Sequence, residues 1–125
     1  MTKLGFCILY TPDVEKKVAF YERAFGMKRK TIVDGYGEMS GEVPLGFVSE
    51  TLASSSAGEF TPSRPRAKPA ACEIGFITDD VDAMYARAVE AGAVAHKAPV
   101  KKPWGQIVAY VRDCDGALVE ICTPW

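Results

Sequence analysis

A glutamate stands in the middle of an apolar strand near the C-terminus of this 125-residue chain. In Ala117–Thr123 the side chains alternate, so Leu118, Glu120 and Cys122 share one face and Val119, Ile121 and Thr123 the other. A carboxylate in that position must face solvent, meet a partner or line a cavity, because burying it unpaired is costly. Other chemistry-bearing residues are sparse. His96 is the single histidine, and Cys7, Cys72, Cys114 and Cys122 share no C-x-x-C spacing. A Cys/His zinc site therefore cannot be assembled from neighbours in sequence. The cysteines read as reduced thiols that pack as small hydrophobes, which suits a cytoplasmic protein.

The strand carrying Glu120 must be held by the elements around it. It closes a hairpin with Gln106–Arg112 across Asp113-Cys114-Asp115-Gly116, where Gly116 can take positive φ at no steric cost. Lys3–Tyr10 is a strand candidate. Thr11-Pro12-Asp13 then starts a helix, with Thr suited to capping and Pro to the first helical position. Val14, Val18, Tyr21 and Phe25 form its apolar stripe and Gly26 ends it. Lys28–Asp34, Tyr36–Ser40 and Glu42–Ser49 read as strands. Residues 51–69 are rich in Ser, Pro, Gly and basic residues and show neither period, so they read as a loop, a junction between half-domains or a lid. Phe60 would tuck over a pocket or pin that loop to the surface, and Arg64, Arg66 and Lys68 read as a solvated face. Ala71–Ile77 is again strand-like. Thr78-Asp79-Asp80 starts a second helix with Val81, Met84, Tyr85 and Ala88 on its stripe, and Ala93–Lys97 is a further strand.

Composition sets the outer bounds. Apolar residues at 48% and charged residues at 25% are ordinary for a globular domain. A formal net charge of −1 argues against nucleic-acid binding through bulk charge. No apolar run approaches the roughly 20 residues that span a bilayer. The start, MTKLGFCILYTPD, lacks a small-residue cleavage site, so neither a secretory signal nor a membrane partner is expected.

The second half repeats the first. Thr11, Asp13, Val14, Ala19 and Ala24 coincide with Thr78, Asp80, Val81, Ala86 and Ala91 at an offset of 67. An offset of 74 lays Leu45-Gly46-Phe47 on Val119-Glu120-Ile121. Each half reads strand, helix, then three strands. The expected fold class is α+β: two βαβββ units forming a curved mixed β-sheet around a cleft, with helices on the convex face. One domain spans 1–125, with units at 1–50 and 70–125 joined by 51–69.

Tyr10-Thr11-Pro12-Asp13-Val14-Glu15, with Val18-Ala19-Phe20-Tyr21 and Ala24-Phe25-Gly26, resembles the first strand–helix signature of the vicinal oxygen chelate superfamily. That superfamily includes glyoxalase I, the bleomycin- and fosfomycin-resistance proteins and extradiol dioxygenases. Trp104-Gly105-Gln106 and Asp113-Cys114-Asp115-Gly116 resemble its closing W-G and D-P-D-G motifs, with Cys114 in place of Pro. The resemblance implies four metal-ligand positions, which fall on Phe6, Gly46, Glu73 and Glu120. Two hold carboxylates, one an aromatic ring and one no side chain. Glu38 and Cys122 are the candidates for a third ligand. The expectation is accordingly a degenerate site with no metal and no other cofactor.

Such a cleft would be lined by Phe6, Ile8, Gly46, Glu73, Gly75, Leu118, Glu120 and Cys122, with Trp104, Gln106 and Tyr110 from neighbouring segments. Two carboxylates favour a cationic or amine-bearing ligand, to which Trp104 or Phe6 could add cation–π attraction. The first functional expectation is a metal-free small-molecule binder of the bleomycin-resistance kind. The alternative is a lyase, isomerase or dioxygenase of the glyoxalase type using Glu73 and Glu120 with an unusual metal set or as a metal-free acid/base pair. The resemblance also implies a homodimer.

Overall fold

The computed structural model describes residues 1–125. The chain divides into two compact units, Met1–Glu22 with Gly26–Pro62, and Arg23–Phe25 with Ser63–Trp125. The main passage from one unit to the other lies between Pro62 and Ser63. The architecture is α+β, and each unit is built on a βαβββ plan with a four-stranded mixed sheet.

In the first unit, β1 (Cys7–Thr11) leads into α1 (Val14–Phe25), followed by β2 (Lys28–Val33), β3 (Tyr36–Ser40) and β4 (Leu45–Ser49). The sheet order is β1-β4-β3-β2, with β1 parallel to β4 and the other pairs antiparallel. Asp13, not Thr11, is the N-cap of α1: its carboxylate accepts from the Lys16 N–H at 3.0 Å, while Thr11 Oγ1 accepts from the Asp13 N–H. Val18, Phe20 and Tyr21 are buried with Met39, Leu45 and Phe47. Gly37 lets the helix seat closely, because a Cβ there would stand 2.9 Å from both Val14 and Val18. Lys17 is buried too, with Nζ 5.6 Å from the centre of the Phe47 ring.

The second unit follows the same plan: β5 (Ile74–Ile77), α3 (Val81–Glu90), β6 (Val94–Lys101), β7 (Ile107–Arg112) and β8 (Leu118–Cys122), in sheet order β5-β8-β7-β6. The repeat extends to individual hydrogen bonds. Asp80 caps α3 by accepting from the Ala83 N–H at 3.0 Å, and Thr78 Oγ1 accepts from the Asp80 N–H at 3.2 Å. Val81 and Ala88 pack beside Val111, Val119 and Ile121. The last turn of α1 also belongs to this unit, where Phe25 stacks on Phe76 with ring centres 4.2 Å apart.

Three sequence expectations are corrected. Residues 51–69 are not loop throughout, because α2 (Glu50–Ala57) opens the stretch. Ser49 caps it by accepting from the Leu52 N–H, Glu50 suits its positive end, and Gly58 follows it. Its serines hid the apolar period, although Ser54 satisfies its hydroxyl on the Thr51 carbonyl. β1, β4 and β5 start later than expected. β4 begins only after Pro44, which has no N–H to donate, and β1 starts level with it, Cys7 pairing with Leu45. Phe6 and Glu73 therefore each stand one residue ahead of their strands. β6 runs on to Lys101 through Pro99, which its edge position and irregular register tolerate. No helix is long and apolar enough to cross a membrane.

The β7–β8 turn fastens the loop after Pro62. The buried Arg112 guanidinium donates to Gly116 O at 2.8 and 3.0 Å and to Arg64 O at 3.2 Å. Arg64 thus contributes its backbone to a fixed contact. Gly116 has φ 99°, and a Cβ there would collide with the Arg64 carbonyl. Gly116→Ala is expected to cost about 2 kcal/mol or more, read as a lower urea midpoint with an unchanged slope.

Candidate functional site

Register builds the site. On β8, Glu120 lies between Gly75 of the parallel strand β5 and Tyr110 of the antiparallel strand β7. Val119 and Ile121 point to the α3 side and are fully buried, so Leu118, Glu120 and Cys122 point to the opposite face. Gly75 adds no side chain, and a Cβ there would meet nothing within 4 Å. Open space is thus left beside Glu120, on the flank away from Tyr110.

Glu120 gathers three neighbours. Tyr110 Oη donates to its Oε1 at 2.9 Å, the Cys122 thiol hydrogen-bonds to it, and so does the Glu73 carboxyl group. Two neighbouring carboxyl groups resist both being ionised. Partial withdrawal of the Glu73 carboxyl end from water, and then the neighbouring Glu120 charge, push it above the usual glutamate range. The residue as a whole stays exposed. Burial is also the main reason that Tyr110 is pushed up to about 12, followed by its hydrogen bond to Glu120. The Cys122 thiol is likewise raised, by burial first and then by Glu120. A thiol so placed stays protonated and is a poor nucleophile and metal ligand. Neither glutamate has a basic partner. With no cation beside them the two carboxyl groups present uncompensated acidic groups at an open sheet face.

The first unit carries related groups in a different state. Glu38 on β3 stands cross-strand from Gly46 on β4. Tyr36 Oη donates to Glu38 Oε1 at 2.6 Å, and Lys30 Nζ lies 3.1 Å from its Oε2. Tyr36 first and Lys30 second lower the Glu38 pKa, and the bond to Glu38 pushes Tyr36 up to about 12. This carboxylate is already compensated. A Cβ on Gly46 would stand 3.0 Å from the Tyr36 ring and hydroxyl and 3.3 Å from Ile8. Tyr36 therefore fills the place where a ligand side chain would grow.

The other expected site residues distribute as follows. Leu118 shares the face of Glu120 but lies level with Arg112. Trp104 and Gln106 form a clamp at the strand ends: Trp104 Nε1 donates to Gln106 Oε1 and Gln106 Nε2 to the Thr123 carbonyl, each at 2.8 Å. Both ends of the Gln106 amide are thereby engaged, while the Trp104 ring stays exposed. Phe6, Ile8 and Gly46 belong to the first unit, with Phe6 exposed ahead of β1. Tyr36 is the functional neighbour that sequence reasoning missed. Its only signal was an aromatic residue two positions before a carboxylate in a strand.

The four-position metal set does not fit these residues. Phe6 offers no donor, Gly46 has neither side chain nor space for one, Glu38 is engaged by Lys30 and Tyr36, and Cys122 is held as a thiol. Asp113, Cys114 and Asp115 bring donor atoms within 4.8 Å of one another. Asp113 Oδ1 is occupied there in holding the turn, accepting from the N–H groups of Asp115 and Ala117 at 2.9 Å.

The fold and repeat define a paired βαβββ protein, and comparison names its family. The Glyoxalase/Bleomycin resistance protein/Dioxygenase superfamily model matches residues 3–121, and the chain belongs to that superfamily. Among solved structures it is similar to a glyoxalase-related enzyme from Fulvimarina pelagi, with TM-score 0.86 and 20% identity over 99% of this chain and 89% of that one. It is also similar to a glyoxalase/bleomycin resistance protein/dioxygenase family enzyme from Burkholderia phytofirmans PsJN, with TM-score 0.83 and 19% identity over 98% of each chain. An integron cassette protein from V. cholerae matches with TM-score 0.68 and 25% identity, over 100% of this chain and 97% of that one. No curated protein matches.

Two outcomes are expected. A glutamate whose folded-state pKa is raised contributes most to stability below its unfolded value, about 4.3, and that contribution is lost as pH rises through the folded value. Chemical denaturation against pH should therefore show the wild type losing stability above about pH 4.3 relative to Glu73→Gln, with the two converging below. Gly46→Glu, which puts a carboxylate back at the ligand position, should lower the melting temperature without raising nickel uptake measured by elemental analysis.

Proposed function

We infer that this protein binds an organic cation, such as an amine or guanidinium compound, through the Glu73–Glu120 pair and without a metal. The observation that carries this reading is the uncompensated carboxyl pair on an open sheet face beside Gly75. A cation entering that space favours ionisation of both groups and meets two carboxylates, a stronger attraction than either gives alone. Tyr110 and Cys122 hold Glu120 from the flanks, so it is oriented before a ligand arrives. Membership of a superfamily that includes resistance proteins supports a binding role, and the lack of a fitting metal set agrees with it.

The glyoxalase-type enzymatic reading draws on one observation, a carboxyl group with a raised pKa beside a second carboxyl group. In a lyase or isomerase Glu73 would hand its proton to a substrate and Glu120 would receive one. The bound ligand would then exchange carbon-bound hydrogen with solvent deuterium, and Glu73→Gln would stop the exchange while leaving binding intact.

Isothermal titration separates the readings. Primary amines, quaternary ammonium compounds and guanidines are titrated beside neutral analogues of matched shape. The expected result is binding only by cations, with up to one proton released per ligand, affinity rising with pH, and a loss of about tenfold or more in Glu120→Gln. Equal binding of cations and neutral analogues would overturn the reading.

A further inference from the structure

We propose that Lys97 on β6 is a specificity-determining residue that selects a zwitterion, an ω-amino carboxylate whose ammonium meets the Glu73–Glu120 pair and whose carboxylate meets Lys97. The proposal rests on the cation-binding reading and names the ligand class for that site. Gly75, Glu120, Tyr110 and Lys97 stand level with one another on β5, β8, β7 and β6, one residue per strand across the whole sheet. Directly opposite residues put their side chains on the same face. The row therefore runs from open space, through a carboxyl group and a phenol, to an ammonium.

Lys97 joins that face through an irregularity in β6. Ala95 pairs with Val111, which is fully buried on the α3 side. In a regular strand Lys97, two residues on, would share the side of Ala95. His96 is an extra residue in the pairing, so Lys97 instead stands opposite Tyr110. Bulges of this kind re-aim a side chain and gather at sheet edges and beside sites. A lysine needed only to deter edge-to-edge pairing serves equally on either face and requires no bulge.

The charges on this row are free to meet a ligand. Lys97 is exposed, and no hydrogen bond or ion pair engages it. Arg112, two residues along β7 from Tyr110, is committed to the Gly116 and Arg64 carbonyls. Lys97 does not pair with Glu120 either, because Tyr110 stands between them and two strand spacings put about 10 Å between their backbones. Opposite charges held apart on one face complement a ligand whose own charges are held apart. A simple amine is attracted by Glu73 and Glu120 but opposed by Lys97. A zwitterion whose charges lie roughly 5–10 Å apart, one to two strand spacings, gains at both ends. Its stem would cross the half-buried Tyr110 ring.

The test titrates 6-aminohexanoate and hexylamine into the full chain by calorimetry at low salt, where exposed charges are least screened. Expected is tighter binding of 6-aminohexanoate by about threefold or more, a factor within reach of one exposed ion pair. Lys97→Met should erase that preference. Lys97→Glu should reverse it, weakening 6-aminohexanoate and strengthening hexylamine, a crossing that general damage to the fold would not produce. Glu120→Gln should weaken both ligands. Wild-type binding of hexylamine as tight as or tighter than 6-aminohexanoate would overturn the proposal and leave the cation-binding reading standing. So would a preference for 6-aminohexanoate that survives both Lys97→Met and Lys97→Glu. Binding of neither ligand would overturn the proposal together with that reading.

Discussion

The contact between Glu73 and Glu120 is the least ordinary interaction in this molecule, and the second unit is arranged so that it can exist. Two carboxyl groups this close resist joint ionisation and need space and hydrogen-bond donors around them. Gly75 supplies the space, and the Tyr110 hydroxyl and Cys122 thiol supply the hydrogen bonds. All depend on one register, in which Glu120 sits level with Gly75 on one flank and Tyr110 on the other. A shift of β8 by one residue would turn Glu120 toward α3 and Ile121 outward. The buried Val119 and Ile121 oppose that shift, so the hydrophobic core on one face fixes the chemistry on the other.

The two units show what a repeat can vary while its frame stays constant. Caps, strand order and the parallel first pair recur, down to the Thr and Asp hydrogen bonds that start each helix. The tyrosine stays on the third strand of each unit, Tyr36 on β3 and Tyr110 on β7, while the acid moves from the third strand to the fourth. In the first unit the carboxylate is Glu38 on β3, opposite Gly46; in the second it is Glu120 on β8, opposite Tyr110. Both accept from a tyrosine hydroxyl, yet Lys30 neutralises the first and no cation meets the second. The same bond type therefore meets a compensated carboxylate at Glu38, whose pKa it helps to lower, and one with no cation beside it at Glu120.

Most of the frame was legible because it rests on short-range signals. Alternation in ALVEICT put Glu120 and Cys122 on one face, and the 67-residue offset found both capping aspartates and, with family resemblance, Glu73. What escaped depends on contacts that sequence distance conceals. α2 was missed because Ser54, Ser55 and Ser56 mask its period, and its cap Ser49 belongs to the preceding strand. The burial of Lys17 follows from its length: the stem packs inward and the ammonium settles over Phe47. That Tyr36 occupies the empty place at Gly46 could not be read, since a glycine in a strand says only that something approaches closely, not what.

The protonation state of the pair bears on whether it is structural. A network meant only to hold β5 against β8 would be served by glutamine at 73, which donates to Glu120 at every pH and brings no second charge. Glutamic acid does so only while it keeps its proton, and its raised pKa means that the folded state is penalised once the proton leaves. The arrangement is therefore poorer than its neutral isostere as a fastening. The open flank at Gly75 leaves the pair reachable from solvent, so its protonation follows the pH of the medium.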